Sequence, residues 1–314
     1  MSSLEEQICR LTEQHLHSQN AEQDDEIGSL LLKESRTAAT GFHHHMRDLA
    51  QQFPSLAVSR SQAVHWMLKV VQFYTFSSHT AFLAVNYYDR FFSRFGFQEG
   101  KSWMTQLAAV ACLSLAAKME ETNVPLLVDF QVEEAKYVFE ANTIQKMEIL
   151  VLSTLDWEMN VATTMSFVDH LTRRYGFIGF DIPSRCEDLL LRALADINFV
   201  NFRPSVMAAS ALLNVIITMC PCILTSTQNQ LIHIHKYDKL ELDECCSFLQ
   251  RVSSKYHQNL NHERMFSKSH DSPKGVLDAS LNSETSNELW ALSPRASSSP
   301  EPMSKKTKIH HKQD

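Results

Sequence analysis

Two alanine-rich stretches, LAAVACLSLAAK over residues 107–118 and VMAASALL over 206–213, constrain this chain more than any other feature. Small side chains let neighbouring helices approach closely, so each stretch predicts a helix at the centre of a bundle. The two stretches lie roughly one domain length apart, and helical periodicity flanks both. A repeat of this kind predicts two successive all-α bundles. Composition agrees with that. Hydrophobic residues make up 44% of the 314-residue chain, enough for a real core, and its seven glycines are scattered. So few glycines argue against a β-rich fold with many tight turns, and against glycine-rich phosphate loops.

Taken in order, residues 1–55 are polar and mixed. They predict a mostly flexible lead-in, with one helix from Gly41 to Gln52 stopped by Pro54. Then Ala63, Val64, Met67, Val70, Val71 and Tyr74 recur at helical spacing, and Phe82, Val85, Asn86, Asp89 and Phe92 mark a second helix. The alanine-rich helix runs from Trp103 to Glu121 and is ended by Asn123 to Pro125. Asn142 and Gln145 form a candidate capping box for a helix reaching Leu155. Ser166 to Tyr175, Arg185 to Phe199, a helix opened by Pro204, and Leu242 to Tyr256 complete the second set. After His257 the composition turns to Ser, Pro, Glu, Asp and Lys, which predicts a disordered tail. The expected divisions are 1–55, 56–160, 161–258 and 259–314.

Much chemistry is set aside at this level. A net charge of −7 and a pI near 6.1 give no support to nucleic-acid binding. No run of eighteen apolar residues and no signal-peptide core occur, so no membrane partner is expected and the chain reads as soluble and intracellular. The seven cysteines contain no Cys-x-x-Cys, and neither His43–His45 nor His233 with His235 has a third ligand at helical spacing. No metal and no cofactor are therefore expected. No GxGxxG, P-loop, G-x-S-x-G or H-E-x-x-H motif is present, so no catalytic residues are nominated. The acidic doublets Asp24-Asp25, Glu120-Glu121 and Glu133-Glu134 read as solvated faces.

Three charges stand where apolar residues are due. Lys118 follows the stripe Leu107, Val110, Ala111, Ser114, and Glu148 sits among Ile144, Met147, Val151 and Leu155. Periodicity leaves two readings open. Each charge lies at a stripe border and reaches water, or the two form a partly desolvated pair aimed at a partner's main chain. Asp89 also lies in its helix's stripe, and Arg60 is its natural partner, since a carboxylate at a core edge suits a bidentate guanidinium.

The strings NYYDRFFSRF (86–95), LAAVACLSLAAKMEET (107–122), KMEILVLSTLDW (146–157) and NFRPSVMAASALLNVI (201–216) together resemble a D-type cyclin of the plant kind. The resemblance spans roughly Ser59 to Tyr256 and implies two tandem five-helix cyclin boxes with disordered N- and C-terminal extensions. Arg60, Asp89, Leu107, Lys118 and Glu148 match the near-invariant positions of the first box. It implies kinase contact through Lys118 and Glu148, with Glu121 and Leu107 grouped beside them, and a structural Arg60–Asp89 pair. The implied function is regulatory rather than catalytic: binding and activating a cyclin-dependent protein kinase at G1/S. The alternative is a cyclin-fold scaffold that binds transcription or other factors without activating a kinase. Kinase inhibitors and retinoblastoma-type substrates are further implied partners, and the nucleus, with the cytoplasm, is the implied location.

The sequence departs from that pattern in two places. No Leu-x-Cys-x-Glu motif stands near the N-terminus, only Leu30-Leu31-Leu32-Lys33-Glu34, which removes the usual support for direct docking of retinoblastoma-type proteins. The substrate-docking patch keeps Trp66, but Gln62 and Ala63 offer little apolar surface there, so the patch is expected to be weak. In the tail, Ser272, Ser293 and Ser299 each precede proline and are candidate phosphorylation sites, and Lys305 to Lys308 form a small basic cluster.

Overall fold

A computed structural model describes residues 21–131, 136–177, 180–233 and 237–267. Eleven α-helices are present among them: α1 (Ala21–Ala39), α2 (Phe42–Gln52), α3 (Pro54–Tyr74), α4 (Ser78–Phe95), α5 (Ser102–Glu120), α6 (Ala141–Thr154), α7 (Thr164–Arg174), α8 (Ile182–Ala193), α9 (Pro204–Met219), α10 (Leu224–His233) and α11 (Lys239–Ser267). No strand occurs among the described residues. Helices α3 to α6 form one bundle around α5, and α7 to α11 form a second around α9.

The two alanine-rich helices are the axes. Every residue from Leu107 to Ala117 is buried, as is every residue from Ser205 to Leu213. The small side chains that predicted close approach let α4 and α6 pack on α5 from different sides, as α7, α8 and α11 do on α9. Proline opens α3 at Pro54 and α9 at Pro204, where a missing N–H costs nothing. Side-chain caps open α4, through Ser77 to the Thr80 amide, and α7, through Thr163 to the Ser166 amide.

Four expectations are corrected. First, part of the lead-in is ordered: α1 occupies residues read as flexible. Ile27 is buried, Asp24 pairs with Arg174 at 2.9 Å, and Glu26 meets Arg173 at 2.5 Å and His170 at 3.1 Å. These partners lie on α7, far along the chain, so local composition could not reveal them. Second, the Asn142–Gln145 capping box is not formed. Helix α6 starts at Ala141 after Glu140, which makes no side-chain cap. The start is fixed instead by Gln131, whose side-chain amide exchanges hydrogen bonds with the Phe139 carbonyl and amide at 2.7 and 2.5 Å. Third, the helix expected from Arg185 to Phe199 stops at Ala193. A short 3-10 turn, Ile197–Asn201, follows because the Asp196 carboxylate accepts from the Asn198 amide at 2.9 Å. Fourth, α11 runs to Ser267, beyond the expected boundary at 258.

Candidate functional site

Lys118 lies in the last turn of α5 and Glu148 in the middle of α6. The structure brings them together: Lys118 Nζ donates to Glu148 Oε1 at 2.5 Å. Their exposures differ sharply, with 43% of the Lys118 side chain but only 7% of Glu148 open to solvent. The lysine stem crosses the bundle rim while the carboxylate sits on the core side of it. A lysine at a helix C-terminus also faces the negative end of the helix dipole, which favours its charge.

Apolar side chains are exposed on the same helices and on two other segments of this bundle. Met119 and Ile149, next to the pair in sequence on α5 and α6, are exposed, as are Phe73 at the end of α3 and Leu126 and Val128 in the following segment. Local contacts hold the end of α3 and that segment. Tyr74 Oη donates to the Asp129 carbonyl at 2.6 Å, and its ring stacks on Phe76. This bundle thus carries a half-exposed ion pair and several exposed apolar side chains.

Two residues grouped with the pair at the sequence level do other work. Leu107 is only 5% exposed and belongs to the core of α5, so it has almost no surface to present to a partner. Glu121 caps the next helix over. Its Oε1 accepts from the Ser77 amide at 2.8 Å, from Ser77 Oγ at 3.2 Å and from Thr80 Oγ1 at 2.5 Å. Burial alone would raise the Glu121 carboxyl, but these bonds from Thr80 and Ser77 outweigh it and hold the group below the usual carboxylate range. Its doublet, read as solvated, is in this half a helix cap.

Arg60 and Asp89 pair as expected, and the arginine does more. Nε and Nη2 bind the two Asp89 carboxylate oxygens at 2.7 and 2.8 Å in bidentate geometry. Nη1 then reaches the Leu194 and Asp196 carbonyls at 2.9 and 3.2 Å, just beyond α8. The guanidinium is fully buried and ties the first bundle to the second. Nothing in the local sequence signals this, because the acceptors are main-chain atoms more than a hundred residues away.

Gln62, Ala63 and Trp66 line a groove of about 230 Å³ between α3 and α5. Gln106 forms its far wall by bonding the Tyr137 carbonyl and amide at 2.9 and 3.1 Å. Ala63 and Ala109 contribute little apolar surface, while Trp66 Nε1 is buried with no hydrogen-bond partner among the described residues. Ser272, Ser293, Ser299 and Lys305 to Lys308 lie outside the described residues. Among the described residues no group of three or more His, Cys, Asp or Glu could hold a metal, and no helix is long and apolar enough to cross a membrane. His43 instead binds the Val200 carbonyl through Nδ1 at 2.6 Å, and burial pushes its pKa down.

Two helical bundles in tandem, each built on a buried alanine-rich helix and joined through a buried arginine–aspartate pair, define the two-box cyclin fold. The Cyclin, N-terminal domain family matches residues 30–160, and the Cyclin, C-terminal domain family matches 162–280. Cyclin-D3-3 of Arabidopsis thaliana is 43% identical over 297 residues, covering 92% of this chain and 79% of the relative. Cyclin-D3-2 of the same plant is also 43% identical, covering 87% and 72%. Among solved structures, a viral cyclin from herpesvirus saimiri shares the fold with a TM-score of 0.52 at 17% identity, over 64% of this chain and 88% of that one. The chain belongs to the cyclin family, as a D-type cyclin of the plant kind.

Proposed function

We infer that this chain is the regulatory subunit of a cyclin-dependent protein kinase and promotes entry into the cell cycle at G1/S. One observation supports it most: the half-exposed Lys118–Glu148 pair on helices that also expose Met119 and Ile149 beside it in sequence. A half-exposed lysine and a nearly buried carboxylate offer a partner's main chain a donor and an acceptor at fixed positions. The exposed apolar side chains supply area and exclude water around them. A partner helix seated there would be held in one orientation.

Activation follows from differential binding. A regulatory subunit that binds the active arrangement of a kinase better than the inactive one shifts the population toward it. In kinases the elements to be moved are the C helix, whose glutamate must meet the nucleotide-binding lysine, and the activation loop. No chemistry is asked of the cyclin. Kinase inhibitors and retinoblastoma-type substrates are further partners in this reading, as is residence in the nucleus with a cytoplasmic fraction, which the basic cluster Lys305 to Lys308 favours.

The test is copurification of a kinase with the full chain and with the Lys118→Ala/Glu148→Ala variant. Truncating a buried hydrogen-bonded charge pair at an interface typically costs about 2–5 kcal/mol. The variant should therefore lose the kinase while keeping the wild-type helical circular dichroism. A folded variant that retains full kinase binding would overturn the reading. Kinase copurifying without activity toward a histone or retinoblastoma-type substrate would leave the chain a scaffold.

A further inference from the structure

The second bundle carries an open groove at the position equivalent to the Lys118–Glu148 edge. Ala108, Ala109 and Ala111 of α5 recur as Ala208, Ala209 and Ala211 of α9, which sets Thr218 opposite Lys118 in the repeat. Helices α9 and α11 run side by side. Ser210 Oγ donates to the Leu242 carbonyl at 3.3 Å and Asn214 Nδ2 to the Cys246 carbonyl at 3.4 Å. One turn further along lie Thr218 and Gln250, and both line a groove of about 570 Å³. That is within the range of sites that take a peptide side chain or a small ligand, roughly 300–1,000 Å³. Where the first bundle closes its edge with an ion pair, the second leaves two neutral polar side chains.

The remaining wall is basic. Arg185, Leu189 and Arg192 project from one face of α8 at four- and three-residue spacing. The arginines are weakly engaged within their own helix, with Asp181 at 3.5 Å from Arg185 and Asp188 at 4.0 Å from Arg192, both partners solvent-exposed. The Arg192 guanidinium lies over the Tyr256 ring, 4.2 Å from its centroid, which steadies it at the rim. Asp188 is the one acidic side chain among the described residues that line the groove. The floor is apolar, from buried Val215 and Leu249, with exposed Ile217 at its edge. On a chain of net charge −7, a groove with basic walls is a local exception.

We propose that this groove docks an acidic peptide segment of a partner protein that carries one large apolar side chain. The apolar side chain packs on half-buried Leu189 and exposed Ile217, and its flanking carboxylates meet Arg185 and Arg192 in bidentate pairs. The site is on the second bundle, so its occupation is separable from kinase binding at Lys118 and Glu148.

A random peptide library displayed on phage, selected against the full chain, tests this directly. The enriched peptides should carry Asp or Glu flanking a Trp, Phe or Leu. Made synthetically, they should bind the Arg185→Glu/Arg192→Glu variant at least about tenfold more weakly by fluorescence anisotropy. Thr218→Trp, which fills the groove from an exposed position, should abolish binding, and both variants should still copurify the kinase. Failure to enrich peptides, enrichment without acidic bias, or unchanged affinity in either variant would overturn the proposal.

Discussion

The two bundles share an axis and differ at its C-terminal end. In the first, the last turn of α5 carries Lys118, paired with Glu148 at 2.5 Å, with Met119 and Ile149 exposed beside them in sequence. In the second, the equivalent end of α9 carries Thr218 beside a groove walled by Arg185 and Arg192. The buried parts of the repeat are alike because close packing fixes them: a helix touched on all sides tolerates only small or interdigitating residues. The edges are free to diverge because no core depends on them. One scaffold thus presents two chemically different surfaces, and what joins the bundles can be separated from what each displays.

The largest effect should come from the joint. Arg60→Ala leaves the Asp89 carboxylate buried without its cation and takes the guanidinium donor from the Leu194 carbonyl, while the Asp196 carbonyl keeps the Phe199 amide at 3.0 Å. Breaking a buried pair in this way costs about 3–5 kcal/mol. Urea denaturation should show that loss, with the two bundles no longer unfolding in a single transition. A variant of wild-type stability would mean that the Arg60–Asp89 pair does not hold the bundles together.

Next comes the strap formed by α1. Glu34 is buried and accepts from the Ser205 amide at 2.7 Å and from Ser205 Oγ at 2.8 Å, capping α9 from another helix. Glu34→Ala orphans both donors, at a cost of about 1–3 kcal/mol. Limited proteolysis should then cut within α1 before either bundle. Burial raises the Glu34 pKa despite these bonds, so whatever stability it contributes declines as pH rises from its unfolded value through its folded one.

Glu121→Ala leaves the Ser77 cap of α4 without the carboxylate that binds Ser77 and Thr80, and should cost about 1 kcal/mol, read as a lowered thermal midpoint. Here the sign is opposite. The folded Glu121 pKa is lowered, so its contribution is present above the unfolded value near 4.5 and is lost as pH falls through the folded one. The alanine variant should be correspondingly less sensitive to mild acid. If its pH profile matches the wild type, the Ser77 and Thr80 contacts carry no weight in solution.

The smallest effect lies between bundles at the surface. His79 Nε2 bonds Asp169 Oδ2 at 2.9 Å, and that bond, followed by the charges of Asp169, Glu120 and Glu187, raises the histidine pKa against its partial burial. Stability from the protonated pair is fully present below the unfolded value near 6.5 and fades as pH rises through the folded one. His79→Gln should flatten that slope by a few tenths of a kcal/mol up to about 1, measured by urea titration across neutral pH. A slope unchanged by the substitution would remove His79 from the joint.

Much of this architecture was legible in the residues. The alanine runs marked both axes, and Lys118 and Glu148 betrayed themselves by breaking an apolar period, which is a local signal. Leu107 carries no such signal: the cyclin resemblance groups it with the pair, although it is core. Glu121 read as solvated because its partners, Ser77 and Thr80, belong to an earlier helix. The Arg185 to Phe199 segment keeps a helical pattern past Ala193, yet the chain turns there. The Asp196 side chain competes for the backbone, and Arg60 holds two nearby carbonyls.

By itself the sequence determined helix periodicity, the two packed axes, and the charges that do not belong on an apolar stripe. All of these follow from neighbours within a turn or two. Tertiary structure alone decided that Arg60 joins two bundles, that Glu34 caps α9, and that Thr218 and Gln250 face Arg185 and Arg192 across an open groove. Each depends on main-chain atoms or side chains brought together from distant parts of the chain, and a linear pattern carries no record of which distant groups will meet.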